Sequence, residues 1–82
     1  MNKLEYYTAE WCGPCAYMEE RVRQIAELKK LELEELDVEQ HKDLASTRKV
    51  TAIPQLILLN EDDEVLHRFI GIHEPKDMRK VL

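Results

Sequence analysis

No stretch of this sequence is apolar for long enough to cross a membrane. A spanning helix needs about 20 predominantly apolar residues, and charged residues interrupt every candidate run. The N-terminus, Met1-Asn2-Lys3-Leu4-Glu5, lacks the apolar stretch of a secretory signal, so the expected compartment is the cytoplasm. Basic residues are in deficit, with 12 Lys and Arg against 17 Asp and Glu and a formal net charge of −5. That balance argues against a nucleic-acid partner, which would need clustered positive charge to meet phosphates. Linkers, repeats and low-complexity tracts are absent. The 82 residues have room for one core, so a single domain spanning 1–82 is expected. A hydrophobic content of 44 % is enough to build that core. A monomer is the default expectation.

Cysteine is scarce too, with Cys12 and Cys15 making up the whole complement. A small secreted scaffold would carry more cross-links at wider spacing. A bond between these two would close a tiny loop and remove little chain entropy, so it makes a poor structural staple. A structural zinc site needs four ligands, usually in two close pairs. His41, His67 and His73 supply no second close pair. No metal and no bound cofactor is expected. What remains is a reversible dithiol/disulfide pair.

The pattern along the chain reads as alternating strands and helices. Residues 2–8, rich in Tyr and Thr, read as a strand. Gly13-Pro14 punctuates the chain, and a helix follows over 15–30, with Met18, Val22, Ile25 and Ala26 on one apolar stripe. Residues 31–39 alternate Leu with Glu and read as a strand. Residues 41–49 read as a short polar helix with Leu44 and Ala45 inward, and Thr51-Ala52-Ile53-Pro54 as a connector. The unbroken apolar run at 55–59 predicts a strand covered on both faces. A polar turn at 60–63 leads to a last strand over 64–70, antiparallel to it, which Gly71 ends. Pro75 starts a final helix with Met78, Val81 and Leu82 on its inner face. The order β-α-β-α-β-β-α is an α/β fold. A helix joins the first two strands, which should therefore be parallel, with a right-handed crossover.

A C-x-x-C at a strand-to-helix junction is a redox signature. Here it stands as Trp11-Cys12-Gly13-Pro14-Cys15, followed far downstream by Ile53-Pro54 just before an apolar strand. In these motifs, and in the element order, the chain resembles the thioredoxin family across nearly its whole length. By size it is similar to glutaredoxins and to the small glutaredoxin-like thioredoxins. The resemblance implies a minimal thioredoxin fold, a four-stranded mixed sheet flanked by three helices, without the N-terminal β-α unit of longer members. It also implies a protein disulfide reductase that acts on disulfide-bearing proteins and is re-reduced by a thioredoxin-reductase-type donor. Ile53-Pro54 would be a cis-proline loop and Gly71 a border of the substrate groove. A glutathione-dependent reductase and a non-catalytic binding module are the alternative readings. The Ala52-Ile53-Pro54 triplet and the missing Gly-Gly-x-Asp disfavour the first, and the intact dithiol disfavours the second.

The departures from the family pattern concern proton handling. Tyr6 stands where thioredoxins usually carry a buried Asp, Glu35 where a Lys often faces it, and Glu20 where a Pro usually kinks the helix. The dithiol residues themselves are all present.

The roles follow from thiol chemistry. Exchange proceeds through the thiolate, and a helix N-terminus stabilises negative charge with its free N–H groups and dipole. Cys12, at the start of the 15–30 helix, is expected to be the exposed nucleophile, and Cys15, one turn in, the resolving thiol. Gly13 and Pro14 set the turn, since Pro at a first helical turn gives up an N–H that has no partner anyway. Trp11 reads as a partner-contacting side chain, with core packing as the plain alternative. Ile53 would offer its backbone to an extended substrate. Glu35 is a possible proton acceptor for Cys15, against the plainer reading of a solvated strand-end acid. Lys3 and Glu5 read as wet residues on a poorly covered sheet face. The histidines read as surface residues, with His73 near enough to Gly71 to touch substrate.

Overall fold

A computed structural model describes residues 1–82. Seven elements follow one another: strand β1 (Lys3–Thr8), helix α1 (Gly13–Lys29), strand β2 (Glu32–Asp37), helix α2 (Lys42–Thr47), strands β3 (Gln55–Leu59) and β4 (Val65–Ile70), and helix α3 (Pro75–Arg79). This is the expected order. Helix α1 begins two residues earlier than the pattern suggests, because Pro14 sits inside its first turn. Its C-terminus closes on Lys30, which adopts a left-handed conformation (φ 54°) and donates its N–H back to Ala26 and Glu27.

The sheet runs β2-β1-β3-β4. Strands β1 and β2 are parallel, while β3 is antiparallel to both β1 and β4. This is the four-stranded mixed sheet of a thioredoxin fold. Strand side chains alternate between the two faces. On one face Leu4, Tyr6, Leu56, Leu58 and Phe69 pack against Met18, Val22, Ile25 and Ala26 of α1 and Met78 of α3. On the other, Tyr7, Leu36, Ile57 and Leu59 gather around Ala45 of α2. All five residues of β3 are buried, in line with the apolar run. No helix is long and apolar enough to cross a membrane.

Three sequence expectations fail in this frame. Glu5 is not wet: it is 1 % exposed, because Tyr7 and Arg48 both donate to its carboxylate and supply the partners a buried charge requires. Lys3 is half-buried and pairs with Asp63 at 2.8 Å. Val81 is exposed rather than inward, since α3 ends at Arg79 and only Met78 and Leu82 turn to the core.

Candidate active site

Strand β1 ends at Thr8, and the chain turns through Ala9–Trp11 into α1. Cys12 caps that helix in an extended conformation, and its Sγ accepts the Cys15 N–H at 3.2 Å. A sulfur in this position sits where helix N–H groups lack intrahelical partners and where the dipole favours negative charge. Cys12 and Cys15 form a disulfide. Cys15 is fully buried, and Cys12 is 7 % exposed, which corrects the expectation of an exposed thiol. In the oxidised pair the Cys12 sulfur lies against Cys15 and a small apolar cluster of Ala9, Val38 and Ile53. Cys12 remains the more accessible of the two, and its neighbours Trp11, Gly13 and Pro14 are exposed.

Trp11 is 70 % exposed, so core packing is excluded for it. Its indole N–H donates to Glu39 at 2.7 Å, across the loop after β2. Glu39 escapes a reading of the sequence, because a loop acid between polar neighbours carries no pattern. Beside Trp11 lies an open apolar recess lined by Val38, Val50, Thr51, Ala52 and Ile53.

The connector from α2 closes the site from the other side. The Ile53-Pro54 peptide is cis. Ile53 packs on the cysteine cluster, while its own backbone N–H and carbonyl form no hydrogen bond. The Pro54 carbonyl accepts from the Gly71 N–H at 2.8 Å, which brings Gly71 alongside this loop. Gly71 has φ +83°, a conformation that side-chain-bearing residues rarely adopt. A Cβ there would meet open space, so the backbone angle alone calls for glycine. His73, half-buried, is tied to the Ile70 carbonyl through Nε2 at 3.0 Å and sits edge-on to Phe69.

Beneath the cysteines stands Tyr6, fully buried, whose hydroxyl donates to the Cys15 carbonyl at 2.6 Å. Burial pushes its pKa up to about 12. It is therefore a neutral donor at the place where the family pattern has a carboxylate. Glu35 lies opposite Tyr6 in the β1–β2 register. Arg23 of α1 forks onto both its oxygens at 3.1 Å, and Arg23 also reaches Glu19 at 2.6 Å. Glu35 is thus a paired surface acid.

Comparison with known proteins follows the same lines. A family model described as Thioredoxin matches residues 3–82. The chain is 33 % identical over 76 residues to "Thioredoxin H-type" of Fagopyrum esculentum, covering 92 % of this chain and 65 % of that protein. It is 28 % identical over 78 residues to "Thioredoxin, mitochondrial" of Bos taurus, covering 93 % of this chain and 46 % of the relative. The chain thus spans less than two thirds of the length of these relatives. Among solved structures it resembles a point mutant of a thioredoxin from Halobacterium salinarum NRC-1, with TM-score 0.88 and 29 % identity, over 98 % of this chain and 70 % of that one.

Proposed function

The chain belongs to the thioredoxin family, and from that premise we propose that it is a thiol–disulfide oxidoreductase that reduces disulfides in other proteins. The observation that carries this reading is the Cys12–Cys15 disulfide at the N-terminus of α1, with the Cys12 sulfur on the Cys15 N–H. In the reduced protein, that N–H and the helix dipole favour a Cys12 thiolate. The thiolate attacks one sulfur of a substrate disulfide, forms a mixed disulfide and releases the other substrate sulfur as a thiolate. Cys15, once deprotonated, then attacks the Cys12 sulfur. The Cys12–Cys15 disulfide forms, and the second substrate thiolate leaves. The two electrons come from the dithiol, which a thioredoxin-reductase-type donor restores.

Trp11, Ile53 and Gly71 make up the docking surface in this reading, with the buried Pro54 setting the cis turn beneath it. The unpaired Ile53 backbone offers an N–H and a carbonyl to an extended substrate segment, as in strand addition. Gly13 and Pro14 shape the turn between the cysteines. Glu35 is left out, because Arg23 occupies both its oxygens.

Cysteine usage, one reactive pair and no structural cross-link, suits a reducing compartment, and we assign the cytoplasm. Edge strand β2 carries Glu32, Glu34, Glu35 and Asp37, and such charge on an open edge opposes pairing with a second copy, in keeping with a monomer.

The test is dithiol-driven reduction of insulin disulfides, followed by turbidity, for wild type and Cys12→Ser, with a glutathione-coupled assay in parallel. Precipitation by the wild type and none by the variant is the expected result. Activity confined to the glutathione assay would make the protein a glutaredoxin-type reductase, and silence in both would overturn the reading.

A further inference from the structure

Glu5, Arg48, Gln55 and Arg68 form a half-buried to fully buried polar group on the α2 face of the sheet, and the chemistry above uses none of them. Glu5 and Gln55 are each 1 % exposed. Arg48, the residue that ends α2, sends Nε and Nη2 to the two Glu5 oxygens at 2.8 and 3.3 Å. The Arg48 carbonyl accepts from Arg68 Nη2, and Arg68 Nη1 donates to Gln55 Oε1 at 2.7 Å. Gln55 Nε2 in turn donates to the Ala52 carbonyl at 3.1 Å. No buried side-chain polar atom is left without a partner.

The network therefore grips both ends of the connector that leads into the site. One end is Arg48, held through its side chain and its carbonyl. The other is Ala52, held through its carbonyl. That carbonyl belongs to the same peptide unit as the Ile53 N–H. A trans peptide is planar, with its C=O and N–H pointing in opposite directions. The only cis bond here is the next one, Ile53-Pro54. A donor that fixes the Ala52 oxygen therefore also fixes the line along which the Ile53 N–H points. The geometry points to Gln55 as a positioning residue for substrate docking, one that aims the Ile53 N–H, with Arg68 and Arg48 holding the Gln55 amide in place. This inference rests on the reading of the protein as a disulfide reductase.

It separates two kinds of substrate. A protein disulfide brings a main-chain carbonyl that can accept from Ile53. A small aromatic disulfide such as 5,5′-dithiobis(2-nitrobenzoate) brings none. Gln55→Glu keeps an acceptor for Arg68 and removes the donor to Ala52; Gln55→Met removes both contacts at similar volume. For each, KM and kcat would be measured with insulin and with the small disulfide, beside the thermal midpoint. The expected result is a five- to tenfold rise in KM for insulin, about the scale of one hydrogen bond, with kcat kept and the small-disulfide rate within about twofold of wild type. Equal losses on both substrates would reduce Gln55 to a purely structural role, and no loss on either would remove it from docking; both outcomes overturn the inference. A variant too unstable to assay is replaced by the other of the pair. A wild type inactive on both substrates would instead sink the functional reading.

Discussion

Tyr6 and Tyr7 are adjacent in β1, both fully buried, and leave opposite faces of the sheet into different chemistries. On the Tyr6 side, the 17-residue α1 lies along the sheet with α3 beside it. The buried groups there are apolar, and the Tyr6 hydroxyl ends on a main-chain carbonyl beside the resolving sulfur. On the Tyr7 side, α2 has only six residues and buries only Ala45. The Tyr7 hydroxyl ends on the Glu5 carboxylate, which Arg48 neutralises. A short helix cannot cover a strand face with hydrocarbon. Here salt-bridged and amide side chains fill the gap, every one of them bonded. The apolar face gives stability without direction. The polar face gives direction, since its hydrogen bonds reach the connector that carries Ile53.

The largest effects should come from breaking each face in its own way. Removing one partner of a buried ion pair costs about 3–5 kcal/mol, because the other charge is left stranded. Glu5→Leu and Arg48→Met should each lose that much in urea unfolding, a large share of a small domain's stability. The double variant should regain part of it, since no charge is left stranded, while the buried Tyr7 hydroxyl still loses its partner. On the apolar face, Met18→Ala should cost about 2–5 kcal/mol through lost burial and the cavity left behind. Single losses below about 1 kcal/mol at Glu5 or Arg48, the range of exposed pairs, would mean that the polar face is surface in all but name.

The tyrosines sharpen the contrast at a smaller scale. Tyr7→Phe removes a hydrogen bond to a charged group, about 1.5–3 kcal/mol, whereas Tyr6→Phe removes one to a neutral carbonyl, about 0.5–1.5 kcal/mol. Equal losses would erase the distinction between the faces. Alkaline pH tests the same pair. Burial raises the Tyr6 pKa to about 12, and burial together with Glu5 raises that of Tyr7 further. An unfolded tyrosine ionises near 10, so above that pH the unfolded chain has released protons that the folded chain retains. Both groups therefore contribute fully below about pH 10, and stability should fall as pH rises from about 10 toward 12. Urea midpoints across that range should fall less steeply in Tyr6→Phe.

The apolar face and the cysteine end are legible in the sequence. Met18, Val22, Ile25 and Ala26 repeat with the helical period, and all four are buried. The run at 55–59 is a fully buried strand, and Cys12, Cys15 and Ile53 meet in one cluster. The polar face is not legible, because its order comes from pairings between residues far apart in the chain. Glu5 reads as wet because acids are seldom buried unpaired, and its partner Arg48 stands in a polar stretch without periodicity. The low exposure of Cys12 is hidden for a related reason: its burial depends on Ile53 and Val38, brought in by the fold. Glu39 and the Gln55–Ala52 bond have no local signature either.

The smallest expected effect concerns Glu35, on the edge strand. It shares the Tyr6 register, so it stands close to the resolving cysteine's side of the sheet. Its two oxygens, however, already accept from Arg23, whose own side chain is 57 % exposed. A carboxylate engaged in this way has no reason to collect the Cys15 proton, and an exposed pair adds little to stability. Glu35→Gln should therefore leave the pH profile of mixed-disulfide resolution where it is, measured by stopped flow from a preformed Cys12 adduct. With Tyr6 neutral below about pH 12, that result would leave the Cys15 proton to solvent or to the departing substrate thiolate. A profile displaced by the substitution would give β2 a proton-handling role and extend the active site beyond the two faces that Tyr6 and Tyr7 divide.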